Sequence, residues 1–141
     1  RILPAGLFWS AVILFNENFA LSEEVSPLVT KIPDSKNQII KLEDTGVEPI
    51  LLQMKKEDSI VFFLNSSTDS LATIEVNYGN HTTHCASSNL QVNKNGTITS
   101  VIPIEPKNFA SVCFHDAGKY PFKIFGLKSK PQGILAEIVV Q

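Results

Sequence analysis

The chain has 141 residues, enough for one domain with a single hydrophobic core. Its hydrophobic fraction of 43% is ordinary for a globular protein. The formal net charge is −2 at pH 7, and the lysines are scattered apart from Lys55-Lys56 and the stretch 128–130. Because phosphate binding needs a clustered basic surface, we predict that nucleic acid is not a partner.

The N-terminal region has the pattern of a secretory signal. Arg1 precedes an apolar stretch at residues 2–15, and the small-x-small triplet Ala20-Leu21-Ser22 follows. We therefore predict a signal peptide at 1–22, an extended segment at 23–36 and a folded domain at 37–141. The alternative is that residues 2–15 form a buried strand or helix. No second apolar stretch is long enough to cross a bilayer, so we predict no membrane span in this chain.

After residue 22 the sequence is typical of short strands separated by turns. In the segment 72–78, Ile74, Val76 and Tyr78 alternate with polar residues, as in a half-buried strand. The segment 97–104 is expected to place Ile98, Ile102 and Ile104 on one face. Strands are predicted at 38–42, 49–54, 59–64, 72–78, 97–104, 109–114, 119–125 and 134–140. Seven or eight such strands predict an all-β fold, an antiparallel Greek-key sandwich.

Two further features agree with export from the cell. Cys85 and Cys113 are the two cysteines, and in a small exported domain such a pair most often forms one disulfide, worth ~3–4 kcal/mol. Three Asn-x-Ser/Thr triplets begin at Asn65, Asn80 and Asn95, and each is a predicted glycosylation site on a surface loop. Together these features predict a secreted or cell-surface glycoprotein.

Three segments resemble the cupredoxin family. The stretch 50–65 reads ILLQMKKEDSIVFFLN, a strand, a charged turn and a strand ending in Asn. Residues 118–124 read GKYPFKI and resemble the family's late G-x-Y-x-F-x-C strand, while AEIVV at 136–140 resembles its closing strand. The region 78–104 is also similar to copper-free relatives of the phytocyanins, and ephrins share the general topology. The resemblance implies a cupredoxin-like β-sandwich over nearly all of the chain after residue 37.

The same resemblance implies that the copper site is lost. A type 1 copper needs two His, one Cys and usually an axial Met. The expected Cys position is Ile124, the axial Met falls near Ile134, and the first His falls at Leu71 or Ala72. The loop 125–133 contains no second His. We therefore expect no type 1 copper and no cofactor.

An alternative metal site involves the histidines. His81 and His84 lie close to Cys85, and His115 follows Cys113 by two residues, so these imidazoles could gather if the cysteines meet. Such a cluster could hold zinc or copper if the thiols were reduced. Catalytic motifs are absent: the chain has no Gly-x-Ser-x-Gly, no His-Glu-x-x-His and no phosphate-binding glycine loop, so we predict that it is not an enzyme.

Three functions remain in view. The first is an extracellular recognition module that binds another protein or glycoprotein, the second is a structural subunit of a larger assembly, and the third is a metal-binding protein that uses the histidines. Because glycans would block contact, a partner surface is expected away from the three sequons. That leaves the loop 125–132, with Lys128 and Lys130, as the candidate contact site.

Overall fold

The structure, a computed structural model, describes residues 37–56, 59–81 and 85–141. They belong to one compact unit, Ser35–Gln141. The predicted signal peptide and extended segment, residues 1–36, lie outside the described residues. The described strands are β1 Asn37–Glu43, β2 Gly46–Glu48, β3 Leu51–Met54, β4 Ser59–Asn65, β5 Thr73–Asn77, β6 Leu90–Val92, β7 Thr97–Ser100, β8 Phe109–Phe114, β9 Gly118–Phe125 and β10 Ile134–Val140.

The strands form two sheets. The six-stranded sheet has the order β3-β10-β9-β5-β7-β6, and the four-stranded sheet has the order β2-β1-β4-β8. Most neighbours are antiparallel, but β1 pairs with β4 and β3 pairs with β10 in parallel. Parallel neighbours cannot be joined by a tight hairpin, and the chain between β1 and β4 accordingly passes through β2 and through β3 of the other sheet. The predicted all-β sandwich is confirmed, with both sheets mixed.

The core follows the alternation of the strands. Ile74, Val76 and Tyr78 are 2%, 0% and 3% exposed, so this predicted inward face is confirmed. On β9, Tyr120 and Phe122 are likewise buried. Burial of each such side chain stabilises the fold by about 1.5–3 kcal/mol. The described residues contain ten strands where the sequence pattern predicts seven or eight, because β2 and β6 are only three residues long.

The predicted strand 97–104 is wrong in its second half. β7 ends at Ser100, whose hydroxyl oxygen accepts a hydrogen bond from the backbone N–H of Ile74 at 2.9 Å and so replaces a backbone partner. The chain returns at Ile104, which forms an isolated bridge with Ala72 and is buried. Ile102 lies in the intervening bend and is 58% exposed, so it does not share the face of Ile104.

The outer strands are short or covered. β2, β3 and β6 have three or four residues each. The longer edge strand, β8, is covered by the segment around Ala86, which bridges to Val112. Short and covered edges limit pairing with other chains. Within the described part of the chain, no helix is long and apolar enough to cross a membrane.

Candidate functional site

One end of the sandwich, here called the loop end, is formed by residues 66–72, 101–108 and 126–133. Asn65, the last residue of β4, joins the first two of these segments and is fully buried. Its side-chain N–H groups donate to the backbone oxygens of Ser70 at 2.8 Å and Ile104 at 2.6 Å. Its Oδ1 accepts from the backbone N–H of Ser67 at 2.9 Å and from the Ser67 hydroxyl at 2.5 Å. Asn65 therefore holds two of the three segments in place.

The expected copper-ligand positions lie at this end and carry apolar side chains. Ile124 is fully buried and pairs across the sheet with Ile74 and Ile134. Ala72 is also fully buried, whereas Leu71 is 56% exposed. Hydrocarbon side chains offer no lone pair to a metal ion. Chemically, these positions contribute packing and exposed apolar surface.

The loop 126–133 has a defined path. Its backbone closes through Gly126 N–H to Pro131 oxygen at 3.0 Å, and Ser129 N–H donates to the backbone oxygen of Asp44 at 3.1 Å. Gly126 has φ of +95°, and a Cβ there would lie 2.3 Å from the oxygen of Leu71, so no other residue fits without a shift. Leu127 is fully buried and anchors the loop to the core.

The predicted contact lysines are exposed on this anchored loop. Lys128 and Lys130 both face solvent, and the Nζ of Lys128 lies 3.3 Å from Oδ1 of Asp69. Both side chains of this pair are mostly exposed, so the ion pair contributes little to stability. The neighbouring Asp44 carboxylate accepts from the Thr68 hydroxyl and backbone N–H, and these hydrogen bonds lower the pKa of Asp44. The lysines remain a predicted contact site.

The opposite end, here called the disulfide end, contains residues 78–81, 85–87, 93–96 and 115–117. Cys85 and Cys113 are joined by a disulfide, with their Cα atoms 5.5 Å apart, as predicted. The backbone N–H of Cys113 also donates to the oxygen of Cys85 at 3.1 Å. The disulfide therefore fastens the 85–87 segment along the edge of β8.

Beside the disulfide lies a cluster of aromatic rings from Tyr78, Phe114 and Tyr120. The ring centroids of Tyr120 are 5.0 Å from Tyr78 and 4.9 Å from Phe114. The Tyr78 hydroxyl donates to the Cys113 oxygen at 2.6 Å, and the Tyr120 hydroxyl donates to the Asp116 oxygen at 2.7 Å. Burial, followed by the nearby Tyr78 and Asp116, raises the pKa of Tyr120 to about 12. Both phenols thus act as structural hydrogen-bond donors.

The alternative histidine site receives no support from the described geometry. Nδ1 of His81 lies 3.2 Å from Oδ2 of Asp116, and its ring packs 5.4 Å from Tyr120. His84 lies outside the described residues, and His115 follows β8. Among the residues that the structure describes, no three or more His, Cys, Asp or Glu side chains are placed to hold a metal ion.

The three sequons differ in accessibility. Asn80 and Asn95 are exposed and border a hollow of about 380 Å³, here called the rim hollow, lined by residues 78–81 and 92–96. Glycosylation of these two remains a prediction. Asn65 needs a correction, because its side-chain nitrogen is buried and donates to two carbonyl oxygens. The folded domain leaves no room for a glycan there.

A second apolar surface was missed from the sequence. Ile39, Phe62, Leu64 and Phe109 form a hollow of about 180 Å³ on the outer face of the four-stranded sheet. Ile39 is 54% exposed and Phe109 49% exposed, with the Phe62 and Phe109 rings edge to face at 5.5 Å. The sequence could have indicated this surface, because residues 60–64 carry apolar side chains on both faces of β4.

Comparison with known proteins identifies the fold. No family model matches the chain, and no curated protein matches it. Among solved structures, a methionine-to-alanine mutant of amicyanin in its Cu(I) form is similar, with a TM-score of 0.51 and 14% identity over 76% of this chain and 84% of that chain. Reduced auracyanin from Roseiflexus castenholzii has a TM-score of 0.49 and 12% identity, over 76% of this chain and 98% of that chain. The domain has a cupredoxin-like fold.

Proposed function

We propose that this domain is a non-catalytic recognition or assembly module of a secreted or cell-surface glycoprotein, and that it binds an extracellular protein partner through its loop end. The proposal depends on one observation. The loop end, where the resemblance places a copper site, instead presents Leu71 at 56% exposure, two residues from Asp69, which pairs with Lys128 on the loop that carries the exposed lysines Lys128 and Lys130. An anchored surface of exposed apolar side chains bordered by charges is suited to binding another protein.

The side chains at the ligand positions support a function without copper. Ile124 and Ala72 are fully buried apolar residues of the core. A metal ion at Ile124 would have to displace hydrocarbon that packs between two sheets and would gain no donor atom. These side chains therefore argue against a copper electron carrier and favour a function carried out by the surface of the domain.

The position of the exposed sequons supports the choice of the loop end. Asn80 and Asn95 both belong to the disulfide end, at the far end of β5 and β9 from the loop 126–133. Asn65 is at the loop end, but its side chain is buried, so we expect this surface to carry no glycan. Val101 and Ile102, in the bend after β7, add side chains that are 50% and 58% exposed. The disulfide agrees with an oxidising compartment outside the cytosol.

The binding proposal can be tested by site-specific photocross-linking. A photoreactive phenylalanine is placed at Leu71, and a matched one at Leu135, which is 65% exposed on the six-stranded sheet. Both variants are prepared in glycosylated form and incubated with extracellular material from the tissue that produces the protein. We expect an adduct from position 71 that excess wild-type protein competes away and that Lys128→Glu with Lys130→Glu abolishes. An adduct from position 135 alone, or none from either, contradicts the proposal.

The metal-binding alternative has its own test. The oxidised protein is titrated with Cu²⁺ and with Zn²⁺, and the melting temperature and the visible absorption spectrum are recorded. We expect no stoichiometric change in either quantity. A saturable rise in melting temperature that His81→Ala removes would overturn this expectation and support a histidine metal site.

A further inference from the structure

We propose that Asn95 is a site of spontaneous, backbone-assisted deamidation in the folded domain. In this reaction the backbone nitrogen of Gly96 attacks Cγ of Asn95 and loses its proton, and the bond from Cγ to Nδ2 breaks with release of ammonia. The five-membered succinimide is then opened by water at either carbonyl, giving aspartate or isoaspartate. The reaction needs no oxidant, and its only co-reactant is solvent water.

The hairpin turn places the backbone nitrogen of Gly96, the attacking atom, next to the exposed side-chain amide of Asn95. Asn95 and Gly96 lie in the turn between β6 and β7, and Asn95 is exposed to water. Gly96 has φ of +90°, and a Cβ there would lie 2.4 Å from the oxygen of Gly79, so the fold requires glycine at this position. The attacking nitrogen consequently has no side chain beside it. Its hydrogen bond to the oxygen of Asn93 is long, at 3.2 Å.

The Asn95 carbonyl is also polarised. Its Oδ1 accepts from the backbone N–H of Thr97 at 3.1 Å and from the Thr97 hydroxyl at 2.7 Å. That hydroxyl in turn accepts from the side-chain N–H of Asn93 at 3.0 Å. Attack on Cγ moves negative charge onto Oδ1, and two fixed donors at that oxygen stabilise the charge as it develops. Thr97 is therefore a positioning residue for the reaction.

Asn65 provides an internal comparison within the same chain. Its Oδ1 accepts from the equivalent two donors of Ser67, but Asn65 is fully buried and both of its side-chain hydrogens are donated to carbonyl oxygens. Water is excluded and the nitrogen is held, so Asn65 should keep its amide. The polarised carbonyl alone is then not sufficient, and exposure with a neighbouring glycine makes the difference.

The product changes the rim hollow. Conversion of the amide to a carboxylate adds one negative charge at a turn whose Gly96 oxygen accepts from the backbone N–H of Tyr78 at 2.7 Å. Isoaspartate also lengthens the backbone at that turn. An N-linked glycan would substitute the same nitrogen that leaves as ammonia. The reaction is therefore expected in protein that carries no glycan at Asn95.

The test uses unglycosylated, disulfide-bonded protein aged at physiological temperature and mildly alkaline pH. Peptide mass spectrometry follows the amide-to-acid mass change, and enzymatic methylation of isoaspartate identifies the product. We expect modification at Asn95, with both products, and an unmodified Asn65. Thr97→Val should slow the reaction by about threefold, the rate equivalent of one neutral hydrogen bond, and Thr97→Ser should restore it.

Two outcomes would overturn the proposal. The first is an Asn95 amide that survives as long as that of Asn65. The second is a Thr97→Val protein that deamidates as fast as the wild type while its unfolding curve shows an intact fold. Asn95→Gln serves as the control, because attack would require a less favourable six-membered ring, and it should abolish the signal.

Discussion

The turns at Asn65 and Asn95 share one local structure and differ in every property that matters for function. In each, the asparagine Oδ1 accepts hydrogen bonds from the backbone N–H and the hydroxyl of the residue two positions later. Asn65 is fully buried and joins segments of the loop end, whereas Asn95 is exposed at the disulfide end. A sequon therefore predicts a turn, and only the surroundings decide whether that turn is a structural joint or an accessible site.

The comparison predicts a large difference in stability. Asn65→Ala removes four buried hydrogen bonds, each contributing about 0.5–1.5 kcal/mol, while the Ile104 oxygen keeps the backbone N–H of Ala72 as a donor. We expect Asn65→Ala to lower the free energy of unfolding by about 3–5 kcal/mol, and Asn95→Ala to change it by under about 1 kcal/mol. Urea unfolding of both variants measures the two values. Equal losses of unfolding free energy would mean that the two asparagines contribute equally to stability and would contradict this prediction.

The glycines at the two ends offer a second comparison, in which we expect similarity. A Cβ on Gly126 would lie 2.3 Å from the oxygen of Leu71, and one on Gly96 would lie 2.4 Å from the oxygen of Gly79. Both residues have positive φ, so Gly126→Ala and Gly96→Ala should each cost at least about 2 kcal/mol. Thermal unfolding tests this, with Ser129→Ala, on the exposed loop, as a control expected within about 0.5 kcal/mol of wild type. A tolerated Gly126→Ala would show that the loop end can shift.

A third prediction concerns alkaline pH at the disulfide end. Burial raises the pKa of Tyr120 to about 12, above its ordinary value of 10.0. Because the folded pKa is higher, the contribution of the neutral phenol to stability is complete below pH 10.0 and is lost as the pH rises toward about 12. Urea unfolding across that pH range should show a decline that Tyr120→Phe reduces. A decline of the same size in both proteins would assign it to other groups.

The smallest effect on stability is expected from glycosylation itself. In a glycosylating host, Asn80→Gln and Asn95→Gln should each remove one glycan, seen as a step in electrophoretic mobility, with little change in melting temperature. Asn65→Gln should leave the mobility of the folded, secreted fraction unchanged, because its nitrogen is enclosed. A mobility step from the Asn65 variant would contradict the burial argument directly.

Much of the fold could be predicted from the sequence because the relevant signals are local. Alternation in the segment 72–78 identified the inward face of β5, including Val76, since side chains of a strand alternate regardless of the neighbouring strand. The disulfide between Cys85 and Cys113 followed from the presence of two cysteines in a chain with export signals. The exposure of Lys128 and Lys130 was expected of charged residues near glycine and proline.

What only the tertiary structure decided depends on residues far apart in the chain. The sequence determined the turn at Asn65, but its burial required Ile104, 39 residues later, to bring a carbonyl oxygen to the side-chain nitrogen. The parallel pairing of β1 with β4 and the exposure of Ile102 have the same origin. Local hydrogen bonds join only residues that are close in sequence. The burial of a residue depends instead on which distant segment the fold packs against it.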